Sequence, residues 1–310
     1  MSRGLRVETK LVDVRGLRIA VHELGELEAP PVLALHGFMD HGLSFRGVAT
    51  ALAGRLRLVA PDFRGHGRSD WVGPGCSYHF YDYYSDLLTV IDRMGLEDVS
   101  ILGHSMGGSA ACGLSALLEE RVKAMVLLEG VGPPAEEADT APDRLLRFAL
   151  SLGRDWAQGD PESRRRGRRP MRSVEDAAER MRGLNPRLQR ETALELAEDA
   201  TEPAEGGRVW RFDPLHRAPS SRPFRADEFT SFLRRSQARV LSLLGAESEL
   251  VLPDLEERHA ALRDVRIGRV RGAGHNLHHD HPNVVAEAMV SWFLGPSHEL
   301  PEGIDEVVQG

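Results

Sequence analysis

The chain has 310 residues, of which 41% are hydrophobic and 28% are charged, and its formal net charge is −8. This size and composition predict one large soluble domain with a full core and room for an inserted subdomain. The negative charge argues against a nucleic-acid or anionic-membrane partner. The sequence contains no run of about eighteen apolar residues, which is the length needed to cross a bilayer.

The cysteine count and the first residues predict the compartment. Cys76 and Cys112 are too few for a disulfide framework. Residues 1–10 lack the apolar run of a signal peptide. We therefore expect a cytoplasmic protein. The basic run at residues 164–169 lies between acidic residues, so we expect a solvated surface segment there rather than a nucleic-acid site.

The N-terminal region predicts one edge of a sheet and its first parallel strand. Residues 6–14 and 17–23 alternate apolar with polar side chains around an Arg-Gly pair, which indicates an antiparallel hairpin at a sheet edge. Residues 31–35 are a short continuous apolar run that leads into His-Gly-Phe-Met-Asp at residues 36–40. Open α/β sheets place ligand groups in such loops.

Two helices and a second buried strand follow. Apolar residues have helical spacing over 45–56 and again over 81–94, where Gly95 is the predicted C-cap. Residues 58–60 predict a strand that leads into the glycine-rich turn 61–69. This turn lacks the Lys-Ser/Thr pair and the glycine spacing of a phosphate-binding loop, so we expect a structural turn.

The central feature is the stretch 99–108, which reads Val-Ser-Ile-Leu-Gly-His-Ser-Met-Gly-Gly. It begins as a buried strand and then fits G-x-S-x-G, a pattern that turns sharply from strand to helix. Ser105 lies at this turn as the candidate nucleophile, and Gly103 and Gly107 leave space where flanking side chains would collide. The amide of Met106, the first helical residue, would point at a developing oxyanion. A glycine-rich turn whose serine only caps the helix is the structural alternative.

The alternation of strands and helices continues to residue 129. Residues 106–118 carry small side chains that let a helix pack closely on a sheet, and residues 124–128 predict another buried strand. Glu129 follows at the carboxyl end of that strand. The alternation predicts a mostly parallel, doubly wound sheet.

An insertion then interrupts the pattern. From residue 141 to 238 the sequence changes to arginine, glutamate and short amphipathic helices, one of which follows Asn185-Pro186, with Asn as its cap and Pro in its first turn. We interpret the insertion as a lid over Ser105. Five aromatic residues either line an apolar pocket there or form the core of the lid: Trp210, Phe212, Phe224, Phe229 and Phe232.

The sheet resumes after the lid. Residues 240–244 and 265–270 predict two strands with a helix at about 253–262 between them, and 282–293 predict a closing amphipathic helix. The predicted division of the chain is a core at 1–135 and 237–296, a helical lid at 136–236, and a loose C-terminal tail at 297–310.

Four histidines lie close together in the sequence near the end of the predicted core: His275, His278, His279 and His281. Their H-x-x-H overlap lacks a recognised second ligand pair, so the last three are interpreted as loop and helix-cap residues. We expect neither a metal site nor a cofactor.

Four motifs, in this order, resemble the α/β-hydrolase fold superfamily. They are His36-Gly37-Phe38, then Asp62-Phe63-Arg64-Gly65-His66-Gly67-Arg68-Ser69, then Gly103-His104-Ser105-Met106-Gly107-Gly108, and then Gly274-His275. Residues 36–40 with Ser44-Phe45 are similar to the serine-hydrolase-like and mesoderm-specific-transcript branch. The resemblance implies an α/β-hydrolase fold, with a mostly parallel doubly wound sheet and an inserted helical lid.

The resemblance and the chemistry of the side chains together assign the catalytic roles. Ser105 is the nucleophile, and His275, on a glycine-rich loop after the last predicted strand, takes its proton and returns it to the leaving group. The backbone amides of Phe38 and Met106 are the expected oxyanion hole.

The acid of the expected triad departs from the commonest pattern of the superfamily. Its usual place, three residues after the glycine that follows the penultimate strand, holds Ser248, whose hydroxyl cannot stabilise an imidazolium as a carboxylate does. Some family members, certain haloalkane dehalogenases among them, place a glutamate at the strand end corresponding to Glu129. Glu129 is therefore the first choice, and Glu247 and Glu249, which flank the usual place, are the alternatives.

These residues favour a cofactor-independent serine hydrolase that cleaves a small ester, thioester or related acyl compound through an acyl-enzyme. Dehalogenase and epoxide-hydrolase chemistry is disfavoured because those enzymes use an aspartate nucleophile. Carbon-carbon bond hydrolases and cofactorless peroxidases or oxygenases share the Ser-His pair, so the sequence does not exclude these activities. A ligand-binding or receptor-like protein with little turnover is the alternative from another class, supported only by Ser248 at the usual acid position. The sequence carries no signal for an oligomeric state.

Overall fold

The computed structural model describes residues 4–154, 159–295 and 299–307. The described strands are β1 (Val7–Val14), β2 (Leu17–Leu24), β3 (Pro31–Leu35), β4 (Arg57–Pro61), β5 (Val99–His104), β6 (Val122–Leu128), β7 (Thr201–Ala204), β8 (Gly207–Trp210), β9 (Arg239–Gly245), β10 (Asp264–Val270) and β11 (Ile304–Glu306). The described α-helices are α1 (Arg46–Leu52), α2 (Asp82–Arg93), α3 (Met106–Leu118), α4 (Ala141–Leu152), α5 (Pro161–Arg166), α6 (Val174–Leu184), α7 (Arg190–Ala200), α8 (Ala226–Arg235), α9 (Leu255–Ala260), α10 (Leu277–Asp280) and α11 (Pro282–Leu294).

Nine of the described strands form one sheet, in the order β1-β2-β4-β3-β5-β6-β9-β10-β11. The strands from β4 to β10 in this order are parallel. Antiparallel pairs occur only toward the edges among the described strands of this sheet, between β1 and β2, β2 and β4, and β10 and β11. The predicted edge hairpin and the mostly parallel sheet are therefore confirmed.

Helices cover both faces of this sheet, which explains why its central strands are continuous apolar runs. On one face α2, α3 and α8 pack through residues such as Ile91, Leu114 and Leu233. On the other face α1 and α11 pack through residues such as Leu52 and Met289. Because the sheet is buried on both sides, its parallel strands are rigid supports for the loops that follow them.

Parallel strands bring these loops to one edge of the sheet. The loops after β3, β5, β6 and β10 carry, respectively, Phe38, Ser105, Glu129 and His275. Ser105 N–H donates to the carbonyl of Leu128 at 3.0 Å, and the N–H of Glu129 donates to the carbonyl of Leu243 at 2.9 Å. Residues far apart in sequence therefore meet at the carboxyl ends of neighbouring strands.

The insertion between β6 and β9 contains α4–α8 and, in addition to the predicted helices, the antiparallel hairpin β7–β8. Helices α6 and α7 have a small apolar cluster of their own. The helix predicted to follow directly on Asn185-Pro186 begins instead at Arg190, with Gln189 as its N-cap residue. Asn185 ends α6, and its side-chain amide donates to the carboxylate of Asp280 at 2.8 Å. The side-chain oxygen of Asn185, the group that would cap a helix, accepts instead from the N–H of Arg187 at 3.2 Å, in the turn before α7.

The last helix of the insertion belongs to the core layer. Phe229 and Leu233 of α8 are buried in the same apolar cluster as α2 and α3. The sequence placed the end of the lid at residue 236, whereas the structure packs residues 226–235 against α3. Among the described residues of the insertion, α8 and the preceding Phe224 therefore pack with the core layer.

Two further expectations hold for only part of their residues. The tail is not loose throughout, because Ile304–Glu306 pairs with β10 and the Ile304 side chain is buried. Arg164, the first residue of the basic run, is buried, and its guanidinium donates to the carboxylate of Asp213 at 2.8 Å. Residues 297, 298 and 308–310 of the tail lie outside the described part of the chain.

The structure also tests the expectations about the cysteines and about membrane-spanning helices. Cys76 and Cys112 are both free, as predicted. Over the ranges that the structure describes, every helix is too short or too polar to cross a membrane.

Candidate active site

Ser105 occupies a strained turn between β5 and α3. Its φ of +50° and ψ of −115° lie outside the regions that side chains favour. A Cβ atom on Gly103 would lie 2.7 Å from Gly108 Cα, and one on Gly107 would lie 2.0 Å from the carbonyl oxygen of Leu35. The predicted role of these glycines is confirmed, since only the absence of side chains lets the strand and helix approach so closely.

Ser105 lines a cavity of about 680 Å³ that lies under the insertion. Its wall is largely apolar and includes the aromatic residues Phe80, Tyr84, Phe224, Phe229 and Phe232, and Met106, Glu129 and His275 border the same space. Three of the five aromatic residues proposed for a lid pocket therefore line it. The other two lie elsewhere: Trp210 packs against the α6–α7 cluster, and its ring is stacked 6.4 Å from that of Phe212.

Glu129 is the carboxylate that faces His275. Its side chain is almost fully buried, and Oε2 lies 3.4 Å from His275 Nδ1, at the outer limit of hydrogen-bond distance. Oε1 accepts from the N–H of Gly245 at 2.7 Å, and Oε2 accepts from the Ser248 hydroxyl at 2.9 Å. Two donors from the loop after β9 therefore fix the orientation of the carboxylate toward the imidazole.

The two alternative carboxylates are placed differently. Glu247 is exposed and forms an ion pair with Arg187. Glu249 is exposed as well, and among the described residues neither carboxylate contacts His275. Ser248, which the sequence analysis treated only as a missing acid, is a hydrogen-bond donor to the acid. Its place three residues after Gly245 was the signal for this role.

Ser105 and His275 line the same cavity, yet no direct hydrogen bond joins their side chains within the described residues. The His275 side chain is about one-third exposed (35%), so it has room to rotate on the loop after β10. Catalytic hydrogen bonds are often long without substrate and shorten in the substrate complex. A proton transfer from Ser105 to His275 would therefore require the two side chains to approach each other.

The candidate oxyanion donors flank the serine. Met106 is the first residue of α3, so its amide has no acceptor within the helix. Phe38 borders the cavity from the opposite side, and Gly37 lets its loop approach closely, since a Cβ there would lie 3.6 Å from Ser105 Cβ. Both residues border the cavity that Ser105 lines, and the role of their amides stays a prediction.

Asp62 holds the loop that carries Phe38. Its two carboxylate oxygens accept from the N–H of Gly42 at 2.6 Å and of Arg68 at 2.7 Å, and Oδ2 also lies 3.0 Å from His22 Nε2. Burial opposes ionisation of this group, but His22 and these hydrogen bonds hold the pKa of Asp62 well below its usual value. The glycine-rich turn is therefore the structural turn that was expected, with an ionised carboxylate at its centre.

Neutral histidines support the Phe38 ring. The rings of His66 and His216 lie 6.1 and 5.9 Å from that of Phe38, and 4.1 Å from each other. Burial lowers the pKa of His66 well below its usual value and lowers the pKa of His216 to about 4. Sequence reasoning missed this contact because His216 comes from the insertion.

A second histidine cluster lies behind the serine. Asp40, His104 and His278 each offer one ligand atom, and these atoms lie within 4.8 Å of one another. None of the three borders the 680 Å³ cavity. No metal site was expected, because the H-x-x-H spacing gave no reason to combine His278 with residues from two distant stretches.

Comparison with known proteins adds the family. An α/β-hydrolase fold family model matches residues 30–282. A serine hydrolase-like protein of Danio rerio is 32% identical over 279 residues, which cover 88% of this chain and 83% of that protein. A 3-hydroxybutyrate-oligomer hydrolase of Cupriavidus necator is 39% identical over 137 residues, or 44% of this chain and 45% of its own length.

Solved structures agree with these matches. A hypothetical protein from Pseudomonas aeruginosa PAO1 superposes with a TM-score of 0.79 at 34% identity, covering 93% of this chain and 98% of that chain. The thioesterase domain from the curacin biosynthetic pathway gives 0.80 at 28% identity, covering 92% and 99%. The chain therefore belongs to the α/β-hydrolase fold family, and within it to the serine hydrolase-like proteins.

Proposed function

We propose that this protein is a serine hydrolase that cleaves small esters, thioesters or related acyl compounds through an acyl-enzyme. The observation that carries the proposal is the contact between the buried carboxylate of Glu129 and His275 on the rim of the cavity that Ser105 lines. A serine at a strained turn, an imidazole and an ionisable acid are the three parts that nucleophilic catalysis by a hydroxyl requires.

The reaction begins when Ser105 Oγ attacks the acyl carbon and His275 Nε2 takes its proton. Glu129 holds the Nδ1 side of the ring and stabilises the imidazolium. The Phe38 and Met106 amides stabilise the oxyanion of the tetrahedral intermediate, and each such donor contributes about 3 kcal/mol. Collapse of the intermediate expels an alcohol or thiol, which takes the proton back from His275. Water then attacks the acyl-enzyme with His275 as base, releasing the acid and free Ser105.

The cavity favours an acyl group with an apolar part. Phe80, Tyr84 and Phe224 offer aromatic surface near Ser105, and transfer of apolar surface from water to such a wall is favourable. A volume of about 680 Å³ is in the range of pockets that hold small molecules. The names of two similar proteins, a 3-hydroxybutyrate-oligomer hydrolase and a thioesterase domain, support hydrolysis of acyl compounds.

The binding-protein alternative loses its only support. That support was a serine at the usual position of the acid, and the hydroxyl of Ser248 donates instead to a glutamate that contacts His275. We therefore keep hydrolysis as the proposed activity. We also propose a cytoplasmic location, which the two free cysteines support.

The test is active-site labelling with a fluorophosphonate, together with the burst of p-nitrophenol from p-nitrophenyl acetate. We expect the native protein to be labelled once and to show a burst, and Ser105→Ala to do neither. Ser109→Ala is the matched control, because Ser109 borders the same cavity from the next turn of α3. Equal behaviour of Ser105→Ala and the native protein would contradict the proposal.

A further inference from the structure

Three side chains from separate parts of the core meet behind the serine turn. Asp40 lies in the loop after β3, His104 is the last residue of β5, and His278 lies in α10. Their ligand atoms lie within 4.8 Å of one another, and both histidines are at least 97% buried. The parallel sheet brings the first two together, and α10 packs the third against them.

The buried nitrogens of these histidines lack protein partners. Within the described residues, His104 Nδ1 and both ring nitrogens of His278 make no hydrogen bond. His278 Nε2 is 3.8 Å from Asp40 Oδ2, which is too long for a hydrogen bond. Buried polar atoms without partners are uncommon, and each one requires an explanation.

The tautomer of His104 leaves a lone pair free. Its Nε2 lies 3.0 Å from the backbone carbonyl of His275, and since a carbonyl only accepts, Nε2 carries the proton. In the neutral ring, Nδ1 then carries the free lone pair. A metal-bound histidine almost always donates its other N–H to a carbonyl or carboxylate, and His104 already makes this second contact.

The surroundings hold the histidine and the carboxylate in place. A Cβ on Gly37 would lie 2.8 Å from His104 Nδ1, so the backbone of residue 37 packs against this ring and only glycine fits there. The Ser44 hydroxyl donates to Asp40 Oδ2 at 2.9 Å. Carboxylates that bind metals are usually held by a hydrogen bond of this kind.

We propose that Asp40, His104 and His278 form a binding site for a divalent transition metal of the zinc type. Two imidazoles and one carboxylate are a common donor set for Zn²⁺, at distances of about 2.0–2.2 Å. Two ligands on one tetrahedral ion lie about 3.3 Å apart, so the three ligand atoms, which lie within 4.8 Å of one another, would draw together when the ion binds.

The site is distinct from the cavity and acts on it indirectly. None of its three residues borders the space that Ser105 lines. His104 immediately precedes Ser105, and its other nitrogen holds the carbonyl of His275. A bound ion therefore fixes His104 and, through it, the loop that carries the proposed base, without contacting substrate.

Metal content and the visible spectrum of Co²⁺ test the site. The full chain is produced in minimal medium supplemented with Co²⁺, dialysed, and examined by elemental analysis and absorption. We expect about one Co²⁺ per chain with the strong bands of four-coordinate cobalt. His278→Gln and Asp40→Asn should each weaken retention of the ion by at least about 100-fold, since each removes a ligand.

A ligand replacement and a surface control make the test specific. His278→Cys keeps a ligand, so it should retain the metal and add a sulfur-to-cobalt charge-transfer band. His79→Gln, at an exposed histidine, should bind as the native protein does. Added Zn²⁺ should raise the thermal midpoint of the native protein and of His278→Cys but not of His278→Gln.

The opposite outcomes would overturn the inference. A native protein without cobalt, or full retention by both His278→Gln and Asp40→Asn, would show that these groups bind no metal, and a spectrum of six-coordinate cobalt would contradict the proposed four-coordinate site. If His278→Gln fails to fold, the comparison of Asp40→Asn with His278→Cys still shows whether these residues bind the metal. None of these readouts depends on hydrolysis, so a failed hydrolase proposal would leave the metal result unaffected.

Discussion

The proposed acid opposite His275 follows a different strand than the usual one, and the contacts of Glu129 explain how it reaches the imidazole. Glu129 adopts a φ of +49° immediately after β6, a strained conformation for a residue other than glycine. Its carboxylate bonds to the N–H of Gly245 and the hydroxyl of Ser248, both in the loop after β9. The carboxylate of Glu129 thus extends from the end of β6 toward the loop after β9. It lies beside Ser248, which occupies the position where the acid is usually found.

Replacing Glu129 by Gln tests this role. The amide keeps the shape of the side chain but cannot stabilise the imidazolium, and disabling a triad acid lowers turnover about 10⁴-fold. We expect a loss of kcat of about 10³- to 10⁴-fold on p-nitrophenyl acetate, with an unchanged circular dichroism spectrum. Glu247→Gln is the control, because Glu247 pairs with Arg187 on the surface. A larger effect of Glu247→Gln would disprove the assignment.

A double variant can return the acid to its usual place. The Ser248 hydroxyl lies 2.9 Å from the carboxylate oxygen that faces His275, so an aspartate at 248 should reach the same imidazole. Glu129→Gln combined with Ser248→Asp should therefore recover at least about tenfold of the kcat lost by Glu129→Gln alone. Ser248→Asn in the same background lacks the charge and should recover nothing. Equal kcat values for the Asp and Asn double variants would count against a charge-based role.

Among the elements, the serine turn depends on backbone contacts that no side chain can replace. A Cβ on Gly107 would lie 2.0 Å from the backbone oxygen of Leu35 in β3, whereas one on Gly183 in α6 would meet nothing within 4 Å. The two glycines are therefore a matched pair for the same substitution.

Alanine at these two positions should have opposite effects. Gly107→Ala forces α3 away from β3, and we expect insoluble protein or a thermal midpoint lowered by many degrees. Gly183→Ala should raise the free energy of unfolding by about 0.5–1 kcal/mol, because glycine is unfavourable inside a helix. Denaturant unfolding measures both. Tolerance of Gly107→Ala would show that the turn is less tightly packed than the distances indicate.

Helix α8 allows a test of where the lid ends. Leu233 is fully buried against α3, whereas Leu150 of α4 is 61% exposed. Leu233→Ala should lower the free energy of unfolding by about 2–5 kcal/mol, and Leu150→Ala should change it by less than about 0.5 kcal/mol. Urea unfolding compares the two variants. If Leu233→Ala changed the free energy of unfolding only slightly, residues 226–235 would be better assigned to the lid.

The elements differ in how far sequence alone determines them. Strands such as β3 and β6 were predictable because burial on both faces requires continuous apolar runs. β11 was not predictable, because its pairing with β10 depends on an edge that exists only in the folded sheet. Asn185 illustrates the same limit, since it carries the signal of a cap, but its side-chain oxygen accepts from Arg187 N–H in a turn and its NH₂ group donates to Asp280. Local patterns predicted elements whose partners are local, and tertiary contacts decided the rest.

The candidate site follows the same division. Ser105 and its glycines form one continuous motif, so the strained turn was predictable. Glu129 could only be ranked among three carboxylates, because the choice depends on the distance between two loops. The grouping of Asp40 with His278 was invisible, since 238 positions separate them and no spacing rule connects them.

For the whole molecule, buried neutral histidines link folding to pH. Burial lowers the pKa of His259 to about 4, and its Nε2 lies 2.9 Å from the Ser242 hydroxyl in the core. His216, between the insertion and the core, has its pKa lowered to about 4 by burial as well. In the unfolded chain both imidazoles have the ordinary pKa of about 6.5.

The sign of the effect follows from proton counting. Between about pH 6.5 and 4 the unfolded chain binds these protons and the folded chain does not, so the free energy of unfolding falls as pH falls. A shift from 6.5 to about 4 corresponds to at most about 3 kcal/mol for each histidine. We expect His259→Gln to flatten the decline between pH 7 and pH 4.5 by about 2–3 kcal/mol in urea unfolding measured at closely spaced pH values. His79→Gln, at an exposed position, should leave the slope unchanged. Parallel pH profiles for the native protein and His259→Gln would mean that the folded core accepts the proton, and hence that His259 is less isolated from water than its burial implies.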